Sequence, residues 1–226
     1  MHGKSVEFRV NGRNGTGYLS VPPAGKGAGL ILIQEWWGLV DHIKALADRF
    51  ADAGFVTLAP DLFHGKTTKS PDEAGKLLMA LNIAEAGKDM KGAADYLLAS
   101  DAVTSRKVGI MGFCMGGQLA LYAGMEYPGE IGAVVDFYGI HPKVEIDPKR
   151  VRVPVLGHFG KRDTSVPQDR VHALSEGINA AGGSMVCHFY DADHAFFNDT
   201  RPQVYSPRDA DTAWKRTVEF LGKTVR

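Results

Sequence analysis

Apolar residues fall into short runs along the chain, and the runs that suit strands have two patterns. Residues Ser5–Val10 and Thr16–Val21 alternate between apolar and polar positions around the turn signal NGRNG, which predicts a hairpin. The continuous run Gly29–Gln34 predicts a strand buried on both faces. Further strands are predicted at Phe55–Ala59, Lys107–Met111, Gly132–Tyr138, Val153–Phe159 and Ser184–Tyr190.

Helical patterns lie between these strands. Apolar residues recur at helical spacing from Leu39 to Phe50, and this pattern stops at Gly54. Helices are also predicted within Pro71–Ala99 and at Met115–Met125, Gln168–Ala181 and Pro207–Gly222. Strands that alternate with helices after an opening hairpin predict a single α/β domain over residues 1–226, with a mostly parallel sheet of about eight strands flanked by helices. In such sheets the functional residues lie on loops at the carboxyl ends of the strands.

The composition excludes several classes of protein. The 226 residues are 44% hydrophobic and 23% charged, which allows a sizeable core and excludes global disorder. The 26 basic and 26 acidic side chains cancel, so we expect no nucleic-acid partner. Two cysteines are too few for a disulfide scaffold. Because the N-terminus has no apolar leader core and no run of about 18 apolar residues occurs, we expect a cytoplasmic protein with no membrane partner.

The segment GFCMG at residues 112–116 has the spacing of a nucleophile elbow, with Cys114 at the nucleophile position. Such a turn forces a strained backbone on the nucleophile, and side chains at the two glycine positions would collide with neighbouring backbone. At a helix N-terminus the dipole favours a thiolate and a developing oxyanion. We therefore predict that Cys114 is a nucleophile rather than a small buried residue at a strand–helix junction. Cys187 lies within a strand and is interpreted as structural.

A catalytic cysteine needs a base, and the base needs a group that orients it. Asp163 and His194 each follow a predicted strand, so both are expected at the edge of the sheet that carries Cys114. The order nucleophile, acid, histidine is the one that accompanies this type of elbow. We predict a Cys114–His194–Asp163 triad.

Other polar residues compete for these roles. Asp136 lies towards the carboxyl end of the strand after the elbow helix and is an alternative acid, whereas Asp191 and Asp193 are interpreted as turn residues. Cys187 and His188 are adjacent in a strand and face opposite ways, so they do not bind one metal ion together. We expect no metal site and no cofactor.

With these residues identified, the chain resembles the dienelactone hydrolase family of the α/β-hydrolase superfamily. The similarity extends over nearly the whole length, through the segments QEWWGL, APDLFHG, GFCMGGQLA, DFYG, HFGKRDTSVP and DADHAFFN. The resemblance implies that Cys114 is the nucleophile, His194 the general base and Asp163 the residue that orients it.

The same resemblance implies three more roles and shows one departure. Glu35 corresponds to the family's glutamate that partners the resting thiol, and the main-chain N–H groups of Trp36 and Met115 form the oxyanion hole. Family members that hydrolyse dienelactone hold the substrate carboxylate with two arginines, one of them shortly after the histidine. Here Asn198 stands at about that place, and the spacing of Arg201 differs. Because a neutral amide forms no ion pair, neutral esters or lactones are expected to be better substrates than anionic dienelactones.

We expect a hydrolase of small-molecule carboxylic esters or lactones that acts through an acyl-cysteine intermediate. The aromatic residues predicted for an apolar pocket wall are Trp36, Trp37, Phe63, Phe113, Tyr138 and Phe196. Thioester hydrolysis or acyl transfer on the same triad is an alternative, and a redox-sensing or ligand-binding domain without turnover is another. The oligomeric state stays open between monomer and homodimer.

Overall fold

The computed structural model describes residues 1–226, which form one eight-stranded sheet with helices on both faces. The strands are β1 (Lys4–Val10), β2 (Arg13–Ser20), β3 (Ala28–Ile33), β4 (Phe55–Pro60), β5 (Val108–Phe113), β6 (Ile131–Phe137), β7 (Val155–Gly160) and β8 (Met185–Tyr190). The helices are α1 (Asp41–Asp52), α2 (Pro71–Ala80), α3 (Ile83–Leu98), α4 (Met115–Glu126), α5 (Gln168–Ala180) and α6 (Pro207–Thr224), with a 3-10 helix at Pro148–Arg150.

The strand order is β1-β2-β4-β3-β5-β6-β7-β8. The pairs β1–β2 and β2–β4 are antiparallel, and all pairs from β4 to β8 are parallel. This arrangement confirms the predicted α/β fold with a mostly parallel sheet. No helix of the protein combines the length and the apolar character needed to cross a membrane.

The N-terminal hairpin is tighter than the sequence pattern predicted. Its turn consists of Asn11 and Gly12 alone, with φ angles of 37° and 87°. Positive φ at both positions is the geometry of a type I′ turn, which matches the twist of two antiparallel strands. The second strand therefore begins at Arg13 instead of the predicted Thr16, and Gly15 lies within the strand rather than in the turn.

The central strand β3 is buried on both faces, as its continuous apolar run predicted. Ile31 and Ile33 pack in the core layer that contains residues of α3, α4 and α5. Leu30 and Leu32 pack in the opposite layer with residues of α1 and α6. All four side chains are fully buried. The two layers hold the sheet rigidly and so fix the positions of its strand ends.

Five parallel strands bring polar residues to one edge of the sheet. Glu35 follows β3, Cys114 follows β5, Tyr138 follows β6, Asp163 follows β7 and His194 follows β8. Because the carboxyl ends of parallel strands lie at the same edge, residues that are far apart in sequence meet there.

Candidate active site

Cys114 occupies a sharp turn between β5 and α4. Its backbone has a φ of 56° and a ψ of −122°, and it stands at the N-cap of the helix. A non-glycine residue with positive φ is strained, and strain of this kind is commonly maintained at functional sites. The amide of Cys114 donates a hydrogen bond to the carbonyl oxygen of Phe137 over 2.9 Å, which ties the elbow to the neighbouring strand β6.

The two glycines of the elbow are required by close backbone contacts. A Cβ atom on Gly112 would overlap the carbonyl group of Gly116, and one on Gly116 would overlap the carbonyl oxygen of Gln34. This confirms the physical reason given above for glycine at both positions. The turn can therefore pass close to the end of β3, where Glu35 begins the next loop.

His194 and Asp163 form a short hydrogen bond. Nδ1 of His194 lies 2.6 Å from Oδ2 of Asp163, whose carboxylate is fully buried. The other oxygen, Oδ1, accepts hydrogen bonds from the backbone amides of Ser165 (2.8 Å) and Val166 (3.1 Å). These two amides fix the direction of the carboxylate, so that Oδ2 orients the imidazole.

The environment of His194 favours the protonated imidazole. Burial by itself lowers the pKa of His194, but the hydrogen bond with Asp163 and the interactions with Cys114 raise it to about 10. The carboxylate of Asp163 and a negative charge on the sulfur of Cys114 both stabilise a positive charge on the imidazole. The three residues that the sequence predicted to act together are brought together.

Glu35 is buried and has a defined polar partner. Its Oε2 accepts a hydrogen bond from Nδ2 of Asn198 over 3.0 Å. The amide of Asn198 is held in this orientation because its Oδ1 accepts hydrogen bonds from both the backbone N–H and the hydroxyl of Thr200. Burial raises the pKa of Glu35, and the charges of His194 and Arg201 and the Asn198 hydrogen bond offset this in part.

Two backbone N–H groups near Cys114 have no acceptor within the protein. The amide of Met115 is at the first position of α4, and the amide of Trp36 lies in the loop after β3. Neither donates to a backbone or side-chain group. Free amides at a helix N-terminus attract negative charge, which is the property that an oxyanion hole needs.

These residues line a cavity of about 250 Å³ at the carboxyl edge of the sheet. Glu35, Trp36, Cys114, Met115 and His194 belong to its wall. The further wall residues, which include two of the predicted substrate-binding residues, are Trp37, Leu78, Tyr138, Ile140, His141, Pro142, Ser165, Val166, Ala195 and Arg201.

Three of the aromatic residues predicted for the pocket wall lie outside the cavity, and so does Asn198, which was predicted to stand at the place of a substrate-binding arginine. Phe63 is part of the core layer on the side of α3, and Phe113 and Phe196 are part of the opposite layer. All three side chains are buried, because packing in the core removes their apolar surface from water. Asn198 faces Glu35 and a neighbouring polar groove instead of the cavity.

Arg201 lies on the cavity wall although its spacing from His194 differs from that of the family's arginine. In the structure the loop after His194 turns back, since the amide of Arg201 donates to the carbonyl oxygen of Asn198 over 3.1 Å. The half-buried side chain thereby reaches the cavity, with its guanidinium carbon 5.9 Å from the ring centre of Trp37.

The competing acids have other partners. Asp136 is fully buried, and its Oδ1 accepts a hydrogen bond from the amide of Gly139 over 2.8 Å. Burial raises the pKa of Asp136 well above its usual range, and its hydrogen bond with Gly139 supports the turn after β6. Asp191 and Asp193 pair with Arg162 on the surface, as expected of residues that shape a turn.

Cys187 is placed away from the elbow. It lies within β8, which is three strands from β5 in the sheet, a separation of about 14 Å at the usual strand spacing. Burial raises the pKa of its thiol to about 11. Both features disfavour Cys187 as a partner for disulfide exchange with Cys114.

Comparison with known proteins identifies the family of the chain. The model of the dienelactone hydrolase family matches residues 16–225. The chain is similar to Protein usf of Aquifex pyrophilus (37% identical, covering 97% of each chain) and to the carboxymethylenebutenolidase of a Pseudomonas species (29% identical, covering 97% of this chain and 94% of that protein). The solved structure of the dienelactone hydrolase from Anabaena variabilis has the same fold, with a TM-score of 0.72 at 21% identity over 100% of this chain and 99% of that one. The chain belongs to the dienelactone hydrolase family.

Proposed function

We propose that this protein hydrolyses carboxylic esters or lactones of small molecules through an acyl-cysteine intermediate. The observation that carries the proposal is the 2.6 Å hydrogen bond between His194 and Asp163 in the cavity that also contains Cys114 at its strained elbow. A nucleophile, a base and an orienting acid in that arrangement are the parts that acyl transfer needs. The name of the Pseudomonas relative, carboxymethylenebutenolidase, supports the same class of bond.

The reaction would proceed in two halves. His194 takes the thiol proton as the sulfur of Cys114 attacks the substrate carbonyl carbon, and the N–H groups of Trp36 and Met115 hold the oxyanion. The carbon–oxygen bond of the ester then breaks, and the leaving oxygen receives the proton from His194. In the second half, a water molecule gives a proton to His194 and attacks the thioester. The acid leaves, and the sulfur recovers the proton.

Turnover of aryl esters, lactones and thioesters, with and without iodoacetamide, tests this function. We expect hydrolysis of esters or lactones, and complete loss of it after alkylation of Cys114. The Cys187→Ala variant should also hydrolyse these substrates and lose turnover on alkylation. That result would identify Cys114 as the thiol responsible. Turnover that survives full alkylation would contradict the proposal, and strong preference for thioesters would favour the thioesterase alternative.

Arg201 supports a substrate that carries a negative charge. It lies on the cavity wall and takes part in none of the ion pairs of the protein, while its ring partner Trp37 is apolar. Glu35 is the nearby acid whose pKa its charge lowers, but no carboxylate lies within ion-pair distance of the half-buried guanidinium, which favours an anionic ligand. Arg201 would therefore supply one of the two positive charges that the family's arginines provide. Asn198 stands at about the place of one of those arginines, and this had led to the expectation of neutral substrates.

We expect the Arg201→Gln variant to bind carboxylate-bearing lactones more weakly. KM for such a lactone should rise about tenfold or more, because a charge-assisted hydrogen bond is worth about 1.5–3 kcal/mol. KM for a neutral lactone of similar size should change little. The comparison of initial rates on both substrates, with Arg170→Gln on the exposed face of α5 as a matched control, measures the effect. Equal changes on both lactones would mean that Arg201 does not recognise the anion.

Glu35 is proposed to restrain the reactivity of Cys114. A buried carboxylate on the same cavity wall opposes a second negative charge on the sulfur and can accept a hydrogen bond from the thiol. Only one of its oxygens is taken, by Asn198, which leaves Oε1 available as an acceptor.

The Glu35→Gln variant tests this restraint, because glutamine keeps an acceptor for Asn198 and removes the charge. Alkylation of Cys114 by iodoacetamide near neutral pH should become about three- to tenfold faster, as expected when one nearby like charge is removed. Ester turnover should fall if Glu35 also helps to deliver the thiol proton to His194 during activation. The rates are best measured in a Cys187→Ala background, where one thiol remains. Unchanged alkylation over several pH values would show that Glu35 does not control the thiol.

A further inference from the structure

The hydroxyl group of Tyr138 is a buried donor without a partner. The side chain is 1% exposed, and its oxygen makes no hydrogen bond within the protein. Buried hydroxyl groups normally find an acceptor, so an unpaired one in a ligand cavity points to an acceptor that arrives with the ligand. Tyr138 belongs to the wall of the catalytic cavity, which makes the substrate the available source of that acceptor.

The backbone of Tyr138 is strained where β6 ends beside the cavity. Its φ angle is 44°, in the left-handed region that a tyrosine rarely adopts. The strain is held by two hydrogen bonds of 2.8 Å, from the amide of Tyr138 to the carbonyl oxygen of His158 and from the amide of Gly139 to Asp136. A strained residue whose polar atom has no partner in the free protein is typical of a functional position.

The position of Tyr138 in the sheet indicates which substrate atom it meets. It follows β6, which lies between β5, the strand of Cys114, and β7, the strand of Asp163. Its ring packs against the imidazole of His194, with ring centres 5.0 Å apart. The free amide of Trp36 follows β3, on the opposite side of Cys114. A substrate carbonyl oxygen held by that amide would lie on the β3 side, and the leaving oxygen would then lie on the side of His194 and Tyr138.

The phenol remains protonated under all relevant conditions. Burial raises the pKa of Tyr138 well above its usual value, and the nearby charges of Glu35 and Cys114 raise it further. It can therefore donate a hydrogen bond but does not release its proton. The proton that the leaving oxygen needs still comes from His194.

We propose that the Tyr138 hydroxyl donates a hydrogen bond to the leaving oxygen of the ester as its bond to the acyl carbon breaks. This inference rests on the proposed hydrolase function and adds a catalytic residue to it. As the carbon–oxygen bond lengthens, its electron pair moves to the leaving oxygen, and the hydrogen bond strengthens with the growing negative charge. Tyr138 thus assists the departure of poor leaving groups, which accumulate the most charge.

The Tyr138→Phe variant tests the inference, because it keeps the ring and removes one oxygen. Two esters with the same acyl group are compared by kcat/KM, which reports acylation: an ethyl ester with a strongly basic leaving oxygen and a 4-nitrophenyl ester with a weakly basic one. We expect kcat/KM for the ethyl ester to fall about 10- to 100-fold, and that for the nitrophenyl ester to stay within about threefold.

The matched control is Tyr190→Phe, the same substitution outside the cavity. The Tyr190 hydroxyl bonds to His158 (2.8 Å) and Arg216 (3.1 Å), so its loss should lower the melting temperature without changing the ratio of the two esters. Tyr138→Phe breaks no hydrogen bond and should melt no earlier than wild type. No change in either ester, or an equal loss on both, would overturn the inference. Failure of the wild-type protein to hydrolyse any ester would instead overturn the proposed function.

Discussion

Replacement of Cys114 by alanine is expected to lower kcat for ester hydrolysis by a factor of about 10⁴–10⁶, as is usual when the nucleophile of a triad is removed. The remaining site, with its free amides and His194, can bind the ester but has no group to form the acyl intermediate. The fold should persist, because the half-buried sulfur is small and alanine tolerates the same positive φ about as poorly as cysteine. Initial rates on an aryl ester and thermal unfolding curves measure the two effects.

Cys187→Ala is the matched control for this result. Cys187 lies in the edge strand β8, where it packs against the core layer on the side of α5. Its loss should leave kcat unchanged and reduce the melting temperature slightly, since a few apolar contacts disappear. A purified Cys114→Ala protein that retains a tenth of wild-type turnover would contradict the assignment of the nucleophile.

The second large effect is expected for Asp163→Asn, which should lower kcat by about 10³–10⁴. Oδ1 of Asp163 is fixed by the amides of Ser165 and Val166, so an asparagine oxygen will take that position and its NH2 group will face His194. Nδ1 of His194 must then accept a hydrogen bond instead of donating one. The imidazole is held as the wrong tautomer, and its proton-accepting nitrogen no longer faces the sulfur.

The free energy of unfolding that Asp163→Asn loses relative to wild type should decrease as the pH rises. The pKa of His194 is raised from 6.5 to about 10 in the folded protein, so this group stabilises the fold fully below pH 6.5 and loses that contribution as the pH rises through 10. The gap between wild type and variant in free energy of unfolding should therefore be widest below pH 6.5, narrow as the pH rises from 6.5 to about 10, and change no further above that. Urea unfolding at several pH values measures it. Asp191→Asn, which removes an exposed acid paired with Arg162, serves as the control and should keep full activity. Near-normal kcat in Asp163→Asn would show that another group orients His194.

The elements that depend on local sequence were predictable. The elbow at Cys114 needs glycines at residues 112 and 116 between an apolar strand and a helix, because a Cβ atom at either position would overlap neighbouring backbone. The strand β3 was predictable for the same reason, since four consecutive apolar residues are stable only with cover on both faces. The start of β2 was less so, because the segment NGRNG contains two possible Asn-Gly turns and strand pairing selects the first one.

The sequence by itself determined the fold class, the elbow and the order of Cys114, Asp163 and His194, because each depends on residue types and on strand ends that neighbouring residues specify. The polar groups that lie close together at the cavity could be identified only from the tertiary structure. The turn after His194 places Asn198 against Glu35 and returns Arg201 to the cavity wall, while β6 ends so that the Tyr138 hydroxyl lies buried without a partner. These groups belong to the loops after three different strands, β3, β6 and β8, and their geometry depends on how each loop packs on the others, which no single stretch of sequence specifies.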